Sequence, residues 1–352
     1  MAEKLISKKK PFYPISTELN GFLQSYDRWI DTPIFYEDLL RFSGSVAVYD
    51  KHDNDTLWVR VYYTDSERRE IDYNLKKIYT LLHSDGNESG IQYLNVDAID
   101  YCTFGNSKPF RIKIRNVLND NFTYYYLKKT DASRVYGLEL EHMLSPYNLN
   151  FLVNQSTLIE EHIAGIPGDH FIKEFLPHCT DAEKAQIAKE YVKFNERSMI
   201  RLLGDMRAYN YVVEMTPDFE HNQYRVRAID FDQQCYEGRK SFYLPQFFKN
   251  NLPVVNLCSR LINLETSHQY QREERTLIKR RFNVAPTRIT RLRECMCVDT
   301  ISSDDKLLTL RNELSRLHQD TRFDQCTTMG EITFLNIAVS LGLQNEVPDK
   351  FS

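Results

Sequence analysis

The chain has 352 residues, room for two or three domains with real cores, and an ordinary globular composition of 42% hydrophobic and 27% charged residues. Its formal net charge of −4 gives no overall pull toward nucleic acid or an anionic membrane, so neither is expected as a partner. Seven cysteines without repeating spacing argue against a disulfide framework and for a reducing, cytoplasmic setting. The start, "MAEKLISKKKPFYP", is basic but leads into no apolar run, so no secretory signal is expected, and nothing approaches the roughly 20 apolar residues of a membrane span.

Residues 1–90 read as an α/β block. "SGSVAVYD" and "DTLWVRVYYTD" alternate as strands around the turn "KHDND". Ile71, Leu75, Ile78, Tyr79 and Leu82 then recur on one face of a helix. "SDGNESG", residues 84–90, breaks the chain and predicts a domain boundary. From 91 to 164 the pattern predicts three strands ("YLNVDAIDYCTFG", "FRIKIRNV", "FTYYYLKK"), a helix from about Asp131 to Leu144 that Ser145-Pro146 stops, and two strands ("NFLVN", "STLIEEHI").

Beyond residue 164 the character is helical. Thr180 and Glu183 form a capping-box pattern, and Ile187, Tyr191, Phe194 and Ser198 continue one face of a long helix. Two strands follow, "YNYVVEM" and "YRVRAIDFD", separated by "TPDFEHN". Four or five helices fill 244–341, with starts at Ala285-Pro286, Ser302-Ser303 and Thr328. Cys295 and Cys297 in "CMC" lack a partner pair at zinc-like spacing and read as free thiols. The eight basic residues of 271–294 suit either an acidic-partner patch or, as the preferred reading, a solvated helix face partly balanced by Glu273, Glu274 and Glu294.

"GDMRAYN", residues 204–210, raises the question of chemistry. Phosphoryl transfer needs a carboxylate for the acceptor hydroxyl, oxygen ligands for a divalent metal and a basic group for phosphates. Asp205 and Asn210 stand five apart between a long helix and a strand, and Asp230 ends the next strand in "IDFD". An antiparallel pairing of those strands brings Asn210 near Asp230.

On these residues the chain resembles the protein kinase-like superfamily, and most closely its aminoglycoside phosphotransferase branch, over roughly residues 91–260. The resemblance implies an α+β, bilobal fold: a mainly β small lobe (91–164), a helical large lobe (165–352) with a nucleotide cleft between them, and an N-terminal α/β extension (1–90). It implies ATP and Mg²⁺ as cofactors, and a small molecule or a protein bearing a hydroxyl as acceptor. Asp205 would be the catalytic base, Arg207 would neutralise the transferring phosphate, and Asn210 and Asp230 would hold the metal, with Asp232 either a further ligand or a neighbour. Lys128 (or Lys129) would meet the phosphates and pair with Glu139 or Glu141. The two glutamates lie about 200° apart around a helix, so one faces inward and the other solvent, and the count of about a dozen residues to the strand "NFLVN" favours Glu139 as the partner. Backbone groups of Glu161, His162 and Ile163 would bind the adenine edge, and the loop around Gly105 would cover the phosphates. Leu203, where relatives commonly carry His, and a phosphate loop with one glycine motivate a first alternative, a nucleotide-binding pseudokinase that presents surfaces to a partner. A second is transfer of AMP on the same fold.

Overall fold

The computed structural model describes residues 10–84, 86–218 and 222–343. Most of the basic start (residues 1–9), Asp85 of the 84–90 break and residues 219–221 of the turn "TPDFEHN" lie outside the described residues. Contacts divide the chain into two units, one running to Ala132 with Leu149–His162 added, the other holding Ser133–Asn148 and everything from Ile163.

The first unit contains α1 (Thr17–Ser25), the single turn α2 (Tyr36–Leu39), β1 (Gly44–Tyr49), β2 (Asp55–Tyr62), α3 (Asp65–His83), β3 (Leu94–Cys102), β4 (Phe110–Asn116) and β5 (Phe122–Lys129). Helix α4 (Ala132–Leu144) leaves it, and β6 (Phe151–Asn154) with β7 (Thr157–Glu161) returns to it. All seven strands make one antiparallel sheet in the order β1-β2-β3-β4-β5-β7-β6. Alternation sets its two faces. Phe110, Ile112 and Ile114 of β4 and Tyr125 and Leu127 of β5 point the same way and are fully buried. They meet Ile71, Leu75, Ile78 and Leu82, the apolar face of α3 read in the sequence. Each such side chain contributes about 1.5–3 kcal/mol on burial. The Tyr125 hydroxyl donates to the Leu75 carbonyl at 2.7 Å, so the one polar atom this ring buries is satisfied.

Two boundaries differ from expectation. The described part of the expected 1–90 extension, from residue 10 on, is not separate, because β2 pairs with β3 through Trp58↔Cys102, Val59↔Tyr101 and Arg60↔Asp100, which makes β1 and β2 outer strands of the main sheet. A two-stranded hairpin and one amphipathic helix cannot bury enough apolar surface alone, and the sheet supplies the rest. Helix α4, placed by sequence within 91–164, groups with the second unit.

That unit continues with β8 (Ile166–Pro167), the single turn α5 (Gly168–His170), α6 (Asp181–Arg201), β9 (Tyr211–Thr216) and β10 (Gln223–Ala228). Five helices follow: α7 (Leu252–Leu261), α8 (Leu264–Phe282), α9 (Pro286–Val298), α10 (Asp304–His318) and α11 (Met329–Leu341). The Thr180 box starts α6: its Oγ1 accepts from Glu183 N at 3.3 Å, and Glu183 Oε2 accepts from Thr180 N at 2.8 Å. Ile187, Tyr191, Phe194 and Ser198 are buried beneath it. Helix α11 packs on α6 and α9, and Asn336 donates to the Met199 and Ile200 carbonyls at 2.9 Å each, satisfying the C-terminal end of α6. Among the described residues no helix is long and apolar enough to cross a membrane.

Candidate active site

The "GDMRAYN" loop is shaped by how α6 ends. Leu202 takes a left-handed conformation (φ 54°) and stops the helix. Gly204 then passes so close to its surroundings that a Cβ there would stand 2.8 Å from Phe242 Cδ1 and 3.0 Å from the Gln233 carbonyl oxygen. Asp205 is also left-handed (φ 58°), a conformation that aspartate tolerates better than most residues. Arg207 N donates to Asp205 O at 2.7 Å and Asn210 N to Arg207 O at 2.8 Å, closing a tight loop just ahead of β9.

Strands β9 and β10 pair antiparallel, with Tyr211 opposite Ala228, and Ile229 N donates to Asn210 O at 3.0 Å. Asp230 therefore emerges beside the loop, and Asp205, Arg207, Asn210, Asp230 and Asp232 gather within the second unit. The Asp205 carboxylate accepts from Arg207 Nε at 2.7 Å. Burial pushes its pKa up to about 6; the Arg207 contact opposes that rise, and the charges of Asp230 and Glu237 add to it. The Asn210 amide donates to Asp205 O at 2.8 Å, which turns its Oδ1 away, and that oxygen accepts no hydrogen bond from the described residues.

The acid pair has a partner that sequence reasoning missed. Arg134 of α4, its side chain 1% exposed, donates through Nη2 to Asp230 and through Nε to Asp232 at 2.6 Å. Beside it Ser133 Oγ donates to Gln234 O at 2.6 Å. The signal was available: two carboxylates two residues apart at a buried strand end need a cation, and Arg134 stands among the apolar residues of "ASRVYGLELEHML". Asp232, left open in the sequence, is an ion-pair partner of Arg134.

Does the donor set suit Mg²⁺? The Asn210 amide oxygen and the Asp230 carboxylate, whose side chain is 29% exposed, are the hard oxygen donors such an ion takes. The Arg134 charge already on Asp230 and Asp232 opposes a cation there, so the donors suit such an ion in kind while the local charge works against it. Among the described residues no three or more His, Cys, Asp or Glu side chains gather as a metal site.

The other expected residues fall as follows. Lys128 lies in the first unit, where its Nζ donates to Glu160 Oε2 at 2.6 Å. Lys129, next along β5, projects from the opposite face. Glu139 lies in the second unit and takes both arms of the Arg288 guanidinium, at 2.8 Å from Nη2 and 3.1 Å from Nε. Glu141, expected to face solvent, is buried and accepts from Arg201. Helix α4 is enclosed on nearly all sides, so both glutamates face protein and each has its own arginine. Arg288 belongs to the basic stretch 271–294, and Arg275, Lys279 and Arg281 of that stretch bond to Glu196, Leu341 O and His142 O. Much of its charge is thus engaged within the chain.

Gly105 sits in the β3–β4 turn with φ 83° and open space where a Cβ would be, so its backbone conformation alone calls for glycine. At the end of β7, Glu161 N donates to Asn150 O at 3.0 Å, and His162 Nδ1 lies 3.1 Å from the Tyr126 hydroxyl. Ile163 follows as the first residue of the second unit's longer segment. No protein-family model matches the chain, and no curated protein is similar to it in sequence.

Proposed function

We propose that the chain is an ATP- and Mg²⁺-dependent phosphotransferase of kinase-like, bilobal architecture, with the sheet unit as small lobe and the helical unit as large lobe. The observation that carries this reading is the Asp205 loop: a buried carboxylate, an asparagine with a vacant amide oxygen and a strand-end aspartate, held together by one hairpin. Asp205, with its pKa near 6, is suited to accept the proton of an acceptor hydroxyl at neutral pH. Arg207 holds that carboxylate in place and would neutralise charge on the transferring phosphoryl group. Asn210 and Asp230 would hold the metal, which supplies charge neutralisation at the phosphate oxygens. Lys128 would serve the phosphates from the sheet unit. The acceptor is a hydroxyl-bearing small molecule or protein.

One observation favours a second reading, a nucleotide-binding module without turnover. Arg134 already neutralises Asp230 and Asp232, which lessens the attraction of that site for a metal ion. The discriminating experiment is ATP consumption with Mg²⁺ by the wild type, Asp205→Ala and Asp230→Ala, with product identification. ADP formed by the wild type and lost in both folded variants supports the phosphotransferase. Pyrophosphate would replace it with AMP transfer on the same site. Stabilisation by ATP without turnover would support the nucleotide-binding module, and the absence of both binding and turnover would overturn both readings.

A further inference from the structure

The sheet unit holds a cavity of about 580 Å³ that the chemistry above does not use. This lies within the size range of small-molecule sites. Its wall includes the aromatic residues Phe12, Tyr13 and Trp29, and with them Lys129, Thr130 and Asn20. Lys129 lies on the opposite face of β5 from Lys128, so this is a different place from the one assigned to phosphates.

Three features of the wall are unsatisfied. Lys10 and Lys128 each have a carboxylate, Asp131 at 2.7 Å and Glu160 at 2.6 Å, but among the described residues Lys129 makes no salt bridge. Its ammonium group instead stands 5.1 Å from the centroid of the Phe12 ring. Thr130 is 6% exposed and, among the described residues, its Oγ1 has no hydrogen-bond partner and Asn20 Oδ1 has none either. A buried oxygen left unpaired costs about 1–3 kcal/mol, and two of them at one cavity call for a molecule that supplies hydrogen-bond donors. Thr130 N donates to Ser156 O at 2.7 Å, which fixes the backbone of this residue at the cavity wall.

We propose that this cavity binds a small aromatic carboxylate carrying a ring hydroxyl or N–H. The ring packs against Phe12, Tyr13 and Trp29, the carboxylate meets Lys129, and the donor meets Thr130 and Asn20. The site stands independently of the phosphotransferase reading and needs no nucleotide.

The chain has two tryptophans, so a Trp58→Phe variant leaves Trp29 as the sole indole reporter. Its emission is followed during titration with para-hydroxyphenylacetate, with phenylacetate, which lacks the ring donor, and with para-hydroxyphenethyl alcohol, which lacks the charge. The expected result is a saturable change with the hydroxy acid. Binding should weaken about fivefold for the alcohol or on Lys129→Met, and about as much for phenylacetate or on Thr130→Val. Lys129 is exposed, so Lys129→Met keeps the test valid should Thr130→Val disturb folding. No saturable response to either acid, or an affinity that Lys129→Met leaves unchanged, would overturn the proposal.

Discussion

Asp205 illustrates what one residue's surroundings dictate. Its carboxyl titrates near 6 because burial outweighs the Arg207 contact. As a base it works only when ionised, so turnover should fall as pH drops through about 6. Arg207→Met removes the cation that favours the ionised form, and the acid limb of the profile should move to higher pH. A limb that stays near pH 4 in both proteins would remove Asp205 from the role of base. The same shift has a stability consequence. The folded pKa lies above the ordinary value of 3.8, so the folded state holds its proton more tightly. Stability from this group is highest below about pH 4, declines as pH rises toward 6 and is constant above that. Asp205→Asn lacks the titration, so relative to wild type it should gain about 3 kcal/mol between pH 4 and pH 7, read from paired urea unfolding curves. An unchanged difference would mean that the carboxyl is not desolvated. The spacing of Asp205, Asn210 and Asp230 was legible because a loop and a hairpin are local. For Arg134 the sequence showed a charge among apolar residues and two carboxylates in need of a cation, but not that the two meet, since the contact spans far-apart segments.

At the scale of an element, α4 shows where a helical wheel misleads. The two-residue offset of Glu139 and Glu141 puts them on opposite sides of the helix, and that geometry holds. The inference that one must face water fails, because Arg288 and Arg201 lie on different sides of an enclosed helix. Whether a helix is covered on one face or all round depends on its neighbours, and in "ASRVYGLELEHML" every residue except His142 is buried, polar ones included. Helix α3, by contrast, carries charges opposite Ile71, Leu75, Ile78 and Leu82, and its buried face was read correctly. The buried pair of Glu141 and Arg201 yields a prediction that separates charge from packing. Arg201→Met strands the Glu141 carboxylate in a dry interior and should cost about 3–5 kcal/mol of unfolding free energy. Adding Glu141→Leu removes the stranded charge and should recover most of that loss. A double variant as unstable as the single one would show that Arg201 acts through its other bond, to the Arg197 carbonyl, or through packing.

For the whole molecule, the informative difference is where the first unit begins. The break at 84–90 is real in composition: it ends α3 and precedes β3. It is not a domain boundary, because strand pairing is non-local and nothing in residues 91–102 announces that β3 takes β2 as a second partner. The strands β3, β4 and β5 were legible as strands, whereas their pairing and the addition of β1 and β2 to their edge were not. The consequence is physical. Without residues 1–90 the sheet loses α3, exposing Phe110, Ile112, Ile114, Tyr125 and Leu127, and the edge of β3 loses its partner. An apolar face and an unpaired edge of that kind favour association between chains. A chain shortened to start at residue 91 should therefore be insoluble or aggregate, and lose cooperative thermal unfolding, while the full chain melts cooperatively. If residues 1–90 were an appended module, the shortened chain would instead stay monomeric by light scattering and keep a sharp transition, and the seven-stranded sheet would not be the folding unit.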